Sequence, residues 1–313
     1  MQVIRGQHNI RAQHRGCVAT IGNFDGVHLG HVAVLTALKA QAAAYQLPTL
    51  VVIFEPQPLE YLCPAEAPVR LTRLADKLAL LQQQGIDRVL VLRFDQACAH
   101  QTAAAFIQQL LVTRLGVRHL YVGDDFQFGR GRQGNLALLQ QMGAEQGFAV
   151  ERLATVSAGA ERISSTRIRA ALAQGDLTLA RRCLGRHYSL RGRVQHGDQR
   201  GRTWDFPTLN LPVLEHHCPL RGVYLVEVTG IPSGPYVGVA NVGWRPTVAA
   251  DLVLLLEVHV LDFAQEIYGL PVQVHFQTRL RAEQKFDSFT ALQKQIQRDV
   301  QQARLLLAAQ DAV

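Results

Sequence analysis

Gly22-Asn23-Phe24-Asp25-Gly26-Val27-His28-Leu29-Gly30-His31 follows directly on the apolar run Cys17-Val18-Ala19-Thr20-Ile21 and leads into an alanine-rich stretch with helical spacing. A strand, a glycine-rich turn and a helix in that order let the backbone come close to a phosphate. The helix N-terminus supplies unpaired N–H groups and the positive end of its dipole. His28 and His31, three residues apart at the helix start, share one side of it. Two imidazoles there can donate hydrogen bonds to phosphate oxygens as charge builds in a transition state. Gly30 between them keeps the approach clear of a side chain. Two rival readings are an ordinary glycine-rich turn carrying surface histidines and a zinc pair. The zinc reading lacks a third His, Cys or carboxylate at ligand spacing nearby.

Outward from this turn, β-rich runs at 17–22, 49–54, 88–92, 119–122 and 148–153 alternate with helical segments. Two of those segments, 71–84 and 102–115, stop at Gly85 and Gly116, as helices do at a glycine. Strands alternating with helices predict a parallel sheet with ligands at the carboxyl ends of its strands. Two short helices, 166–173 and 177–184, bridge to a second texture. Beyond residue 187 come runs at 189–195, 222–228, 236–242, 254–261 and 272–276, separated by Gly, Pro and Asp, then a long helix at 288–309. That pattern predicts an antiparallel sheet or small barrel.

The chain has 313 residues, 48% hydrophobic and 18% charged, enough to bury two cores and too apolar for intrinsic disorder. Its 32 Lys+Arg against 25 Asp+Glu leave a net charge of +7, which suits anionic ligands such as nucleotides. The five cysteines are scattered and form no CxxC pair, so reduced thiols in a cytoplasm are expected. The first sixteen residues lack the apolar core of a signal peptide, and no long apolar run predicts a membrane span.

The decamer resembles the GxFDGxHxGH signature of the bacterial bifunctional riboflavin kinase/FMN adenylyltransferase family. The resemblance implies that His28 and His31 act on ATP phosphates within a site that includes Gly22, Asn23, Phe24, Asp25 and Gly30. Ile163-Ser164-Ser165-Thr166-Arg167-Ile168-Arg169 reads by itself as a helix cap with arginines. It is similar to the family's ISSTxxR element, which makes Ser164, Ser165, Thr166 and Arg169 phosphate ligands. The stretch from Val122 to Arg132 and the run Phe54-Glu55-Pro56-Gln57-Pro58 match two loops on the flavin side. They imply contacts from Phe54, Pro56, Asp125, Phe126 and Phe128.

In the second half, Gly201-Arg202-Thr203-Trp204-Asp205-Phe206-Pro207-Thr208-Leu209-Asn210 resembles the family's GRxxGFPTAN. The stretches 238–248, 256–263 and 284–288 match GVANxGxRPTV, LEVHLLDF and QKFDS. The resemblance covers roughly residues 14–304. It implies an α/β protein with two domains. Residues 1–186 form a Rossmann-like nucleotidyltransferase domain; residues 187–313 form an antiparallel β-barrel riboflavin kinase domain closed by the terminal helix. The implied reactions turn riboflavin and ATP into FMN, then FMN and ATP into FAD and pyrophosphate.

Thr208 and Asn210 alternate along an extended segment, point the same way and can hold one hard cation, Mg²⁺, through oxygen. Glu257 lies in an aliphatic run, where burying a carboxylate without a partner is costly. The family makes it the base for the ribityl 5′-hydroxyl; by itself it also reads as an outward-facing strand residue. Gly201 and Arg202 are implied phosphate contacts and Arg281 a flavin contact. Three positions depart from the family pattern: Asp205 for Gly, Leu209 for Ala and Ala282 for Pro. They leave an alternative in which the chain is mainly an FMN adenylyltransferase with an impaired kinase half. A basic nucleic-acid-binding protein would use 191–202, but that stretch overlaps a kinase motif. The expected partners are riboflavin, FMN and ATP, with neither nucleic acid nor membrane; a homo-oligomer is left open.

Overall fold

The computed structural model describes residues 1–123, 125–153, 156–159, 161–195, 208–213, 218–246, 252–263 and 265–311. Gly201, Arg202 and Asp205 fall outside them. The chain divides into two compact units, Met1–Pro68 with Thr72–Ser165, and Val69–Leu71 with Thr166–Val313.

In the first unit, six strands form one sheet: β1 (Gln2–Arg5), β2 (Cys17–Ile21), β3 (Thr49–Glu55), β4 (Arg88–Arg93), β5 (Val117–Val122) and β6 (Ala149–Arg152). Their order is β1-β4-β3-β2-β5-β6, and every neighbouring pair is parallel. The chain runs outward from β2 through β3 to β4, then returns to β5 on the other flank. The strand order therefore reverses beside β2, and the crevice at the carboxyl ends of β2 and β5 is where an open α/β sheet binds ligands. The loop carrying His28 opens there. Five of these strands answer to the sequence runs; the edge strand β1 was not foreseen.

Side chains alternate across this sheet. Cys17, Ala19, Ile21, Leu50, Val52, Leu90 and Leu120 pack on one face, with Phe106 of α5 (Ala103–Phe106) and Leu139 of α6 (Leu136–Gln146). Val18, Val51, Ile53, Val89 and Tyr121 face the other way. They meet Leu35 and Leu38 of α1 (Leu29–Tyr45) and Leu81 of α3 (Leu74–Gln83). A layer of helices on each face explains why central strands read as continuous apolar runs. Short helices α2 (Pro58–Leu62) and α4 (Gln96–His100) and the hairpin β7 (Ser157–Ala158), β8 (Glu161–Arg162) complete the unit. Two helices differ from expectation. α3 begins three residues later than the spacing suggested, because Arg73 is extended and stands as its N-cap. The segment expected at 102–115 is α5 followed by a π-helical stretch, Ile107–Arg114, with a Leu115 N–H to Leu110 carbonyl bond of 2.9 Å.

The second unit carries α7 (Ser165–Gln174, whose first residue belongs to the first unit) and α8 (Leu177–Leu184). Its strands are β9 (Ser189–Arg193), β10 (Thr208–Pro212), β11 (Gly222–Thr229), β12 (Tyr236–Pro246), β13 (Leu252–Val260) and β14 (Pro271–Arg281), and α9 (Phe289–Asp311) follows. The sheet order is β10-β13-β12-β11-β14-β9, all antiparallel. Gln195 N–H donates to the Asn210 carbonyl at 2.9 Å, joining the two ends of that order, so the sheet nearly closes into a barrel. On β11, Val223 and Leu225 pack with Val239 under Ala303 of α9, while Tyr224 meets Phe276 edge-on inside. Both faces of this strand are thus buried, which is why it reads as an unbroken apolar run.

Candidate functional site

The loop from β2 to α1 is held in an unfavourable backbone shape. Phe24 (φ 47°), Gly26 (φ 83°) and Val27 (φ 38°) all lie in the left-handed region. For a β-branched valine this is a true outlier, and such residues cost on the order of 1–3 kcal/mol each and gather at functional sites. The surrounding hydrogen bonds offset that cost. Thr72 donates from its N–H and its hydroxyl to Asp25 Oδ1, each at 3.0 Å, and its Oγ1 accepts from Gly26 N–H at 3.0 Å. Ser165 Oγ donates to the Asp25 carbonyl at 2.9 Å.

His28 is the N-cap of α1, its Nδ1 accepting from His31 N–H at 3.3 Å. With Nδ1 committed as an acceptor, the neutral ring carries its proton on Nε2 and is a donor there. The His28 and His31 rings stack with centroids 3.7 Å apart and planes 15° from parallel, and Phe24 tilts against His31 at 4.9 Å. A Cβ on Gly30 would lie 3.0 Å from His28 Cε1, so glycine there lets the imidazole fold back over the helix start. The loop therefore aims two adjacent imidazoles and a helix N-terminus at the sheet's switch point.

The expected phosphate ligands are placed as follows. Phe24 is buried at 3% exposure in the core under α1, and Asp25, at 2%, spends its carboxylate on Thr72. Gly22 is half-buried and Asn23 exposed beside the loop. Ser165 donates its hydroxyl proton to Asp25. Ser164, at the end of the same unit, is half-buried. In the second unit, Thr166 is exposed on α7, and Arg169 Nε donates to the Val69 carbonyl.

In the two loops expected on the flavin side, Pro56 follows β3 and Phe54 sits at its end, edge-on to Phe94 at 5.7 Å. Tyr61 of α2 meets the same Phe94 at 5.8 Å. Sequence reading missed Phe94 and Tyr61; the signal was an aromatic placed directly after β4, at the carboxyl end of a parallel strand. Phe126 stacks on Phe128 at 5.3 Å, and Phe128, 8% exposed, packs on Phe106 within the core. Phe128 is thus mainly a packing residue. Asp125 is exposed and lies 3.4 Å from Arg162, a surface pair that contributes little to stability.

In the second unit the register builds a polar row across three strands. Asn210 of β10 pairs with Glu257 of β13, and Glu257 pairs in turn with Asn241 of β12. Directly opposed residues share a face, so one carboxylate lies between two carboxamides. Thr208, two residues before Asn210, is on that face opposite His259. The expectation that Glu257 is a buried carboxylate among aliphatics needs correcting. Leu256 and Val258 are fully buried on the opposite face, while Glu257 alternates with them and is half-buried. What singles it out is the row it joins. Asn210 is 7% exposed, and its Oδ1 is buried without a hydrogen-bond partner among the described residues, an oxygen fit for a hard cation. Leu209 pairs with Val258 on the other face and Ala282 is exposed, so neither departure reaches this row.

Arg281 is committed elsewhere. Its Nε and a terminal nitrogen grip both oxygens of Asp299 on α9 at 2.8–3.0 Å, with Asp299 only 3% exposed. This bidentate pair fastens α9 to β14. Asp299→Ala strands the guanidinium, and such a loss costs about 3–5 kcal/mol. Chemical denaturation should show the second unit's unfolding free energy lowered by that amount, with its midpoint at lower denaturant, and an unmoved midpoint would refute the role.

Comparison with known proteins gives the family of both halves of the chain. A family profile described as FAD synthetase matches residues 10–167, and one described as riboflavin kinase matches residues 184–307. A protein of Escherichia coli (strain K12) named bifunctional riboflavin kinase/FMN adenylyltransferase is 50% identical over 305 residues, covering 97% of each chain. A protein of the same name from Pseudomonas fluorescens is 50% identical over 308 residues, 98% of each. A solved structure from Streptococcus pneumoniae, named a macrolide-efflux protein, superposes with a TM-score of 0.83 at 30% identity. That match covers 97% of this chain and 99% of the other. The histidine loop at the switch point of a parallel sheet and the Thr208–Asn210–Glu257 row on a near-closed barrel thus sit in a chain that belongs to the bifunctional riboflavin kinase/FMN adenylyltransferase family.

Proposed function

We propose that this chain makes FAD in two ATP-consuming steps, phosphorylation of riboflavin to FMN and adenylylation of FMN with release of pyrophosphate. The observation that carries the reading is the stacked His28–His31 pair on a strained loop at the sheet's switch point. The domain responsible for adenylylation spans residues 1–186 and the kinase domain 187–313, a division that falls near the start of the riboflavin kinase match.

In adenylylation, a phosphate oxygen of FMN attacks the α-phosphorus of ATP and the bond to the departing pyrophosphate breaks. His28, as a donor through Nε2, and His31 stabilise charge on the phosphate oxygens, with the first N–H groups of α1 beside them. Ser164, Thr166 and Arg169 hold the nucleotide phosphates, while Asp25 and Ser165 act indirectly by shaping the loop. Phe54, Pro56, Phe126, Tyr61 and Phe94 offer aromatic and apolar surface to the flavin.

In the kinase reaction, Glu257 takes the proton of the ribityl 5′-hydroxyl as that oxygen attacks the γ-phosphorus of ATP. Asn210 and Asn241 flank the carboxylate and orient it. Thr208 and Asn210 would hold Mg²⁺, which would supply positive charge against that of the transferring phosphate. No described helix is long and apolar enough to cross a membrane. The five cysteines are free thiols, in keeping with a reducing cytoplasm. Supplying FMN and ATP with Mg²⁺ tests the adenylylation step: FAD and pyrophosphate should appear in equal amounts. Neither product appearing would refute the reading.

A further inference from the structure

We propose that Thr72 is a positioning residue for FMN adenylylation, holding the loop that presents His28 and His31 in its active shape. The inference rests on the adenylyltransferase reading and adds a residue outside every motif that suggested it. Thr72 lies 46 and 47 residues from its partners in sequence, yet makes three hydrogen bonds to two consecutive loop residues, Asp25 and Gly26. Those two residues sit between the left-handed Phe24 and the left-handed Val27. The pattern is directional. The Thr72 hydroxyl accepts from Gly26 N–H and donates to Asp25 Oδ1, while its own N–H donates to the same carboxylate oxygen. Only a residue with both a hydroxyl and a backbone N–H at this place satisfies both ends.

This accounts for Asp25, the acidic residue placed among ATP phosphates by its motif. Its carboxylate is turned into the protein at 2% exposure and accepts hydrogen bonds from two donors there, so a negative group can sit next to an anion site without facing the anion. Thr72 stands outside α3, one residue before its extended N-cap Arg73, with hydroxyl and N–H both turned to the loop. Residue 28 begins immediately after the strained stretch, and the His31 ring is stacked on it. Relaxation of Val27 toward ordinary backbone angles would carry both imidazoles off their target. A displacement of about 1 Å in a reacting group can cost ~10²-fold in rate.

The test compares Thr72→Val, which removes only the hydroxyl, with Thr72→Ser, which keeps it, alongside wild type. FMN adenylylation and riboflavin phosphorylation are measured on the same full-length preparations. In Thr72→Val, kcat for FAD formation should fall about 10–100-fold with the KM for FMN nearly unchanged. Thr72→Ser should recover most of the rate, and riboflavin phosphorylation should be the same in all three. If Thr72→Val cannot be recovered folded, Thr72→Ala carries the same comparison without a methyl facing Asp25. A hydroxyl-free variant with wild-type kcat, or a Ser variant as slow as it, would overturn the inference while leaving the enzyme's function intact. A wild type that makes no FAD would overturn both.

Discussion

Replacing His31 by alanine, or His28 by alanine, abolishes FMN adenylylation while riboflavin phosphorylation continues at its full rate. The expected loss is on the order of 10²–10³ for each donor removed from the developing phosphate charge. His28→Ala should be the more damaging. It removes an imidazole and also the N-cap whose Nδ1 accepts from His31 N–H, so the helix start loosens as well. Losing such a cap costs ~1 kcal/mol of helix stability. His28→Asn separates the two contributions: asparagine can cap but cannot reproduce the stacked ring, so it should restore stability without restoring rate. Near-normal FAD formation in both alanine variants would contradict the assignment of the site.

The second large effect belongs to Glu257→Gln. Glutamine keeps the shape and the place between Asn210 and Asn241 but cannot accept a proton. Riboflavin phosphorylation should fall by ~10²–10⁴, with FAD still formed from supplied FMN. Steady-state assay of each reaction on the same preparation reads both outcomes. A Gln variant with wild-type kinase rate would reduce Glu257 to a strand residue between two amides.

Much of this architecture is legible in the sequence because its signals are local. The strand-glycine-helix order at residues 17–31 gives the parallel sheet and the anion site together, and Gly85 and Gly116 mark helix ends. The antiparallel half shows in the spacing of its apolar runs. Other features depend on partners distant in the chain. β1 is a four-residue edge strand whose only strong evidence is its pairing with β4. Nothing local to Asp25 shows that Thr72 holds its carboxylate, and nothing local to Arg281 shows its pairing with Asp299, eighteen residues away. For Glu257 the local reading was incomplete. Its flanking leucines and valines point to the other face, and its place depends on a register between three strands that no single stretch encodes. Asp205, the departure that bears most on the kinase, lies outside the described residues, so solution chemistry must weigh it.

One time course does that and tests the central claim most directly. The full-length protein is incubated with riboflavin, ATP and Mg²⁺, and the flavins are separated at intervals. The account predicts that FMN appears first and FAD follows at its expense, both made by one chain. Riboflavin remaining unphosphorylated, with FAD formed only when FMN is supplied, would contradict the bifunctional account and leave an adenylyltransferase with a silent second domain.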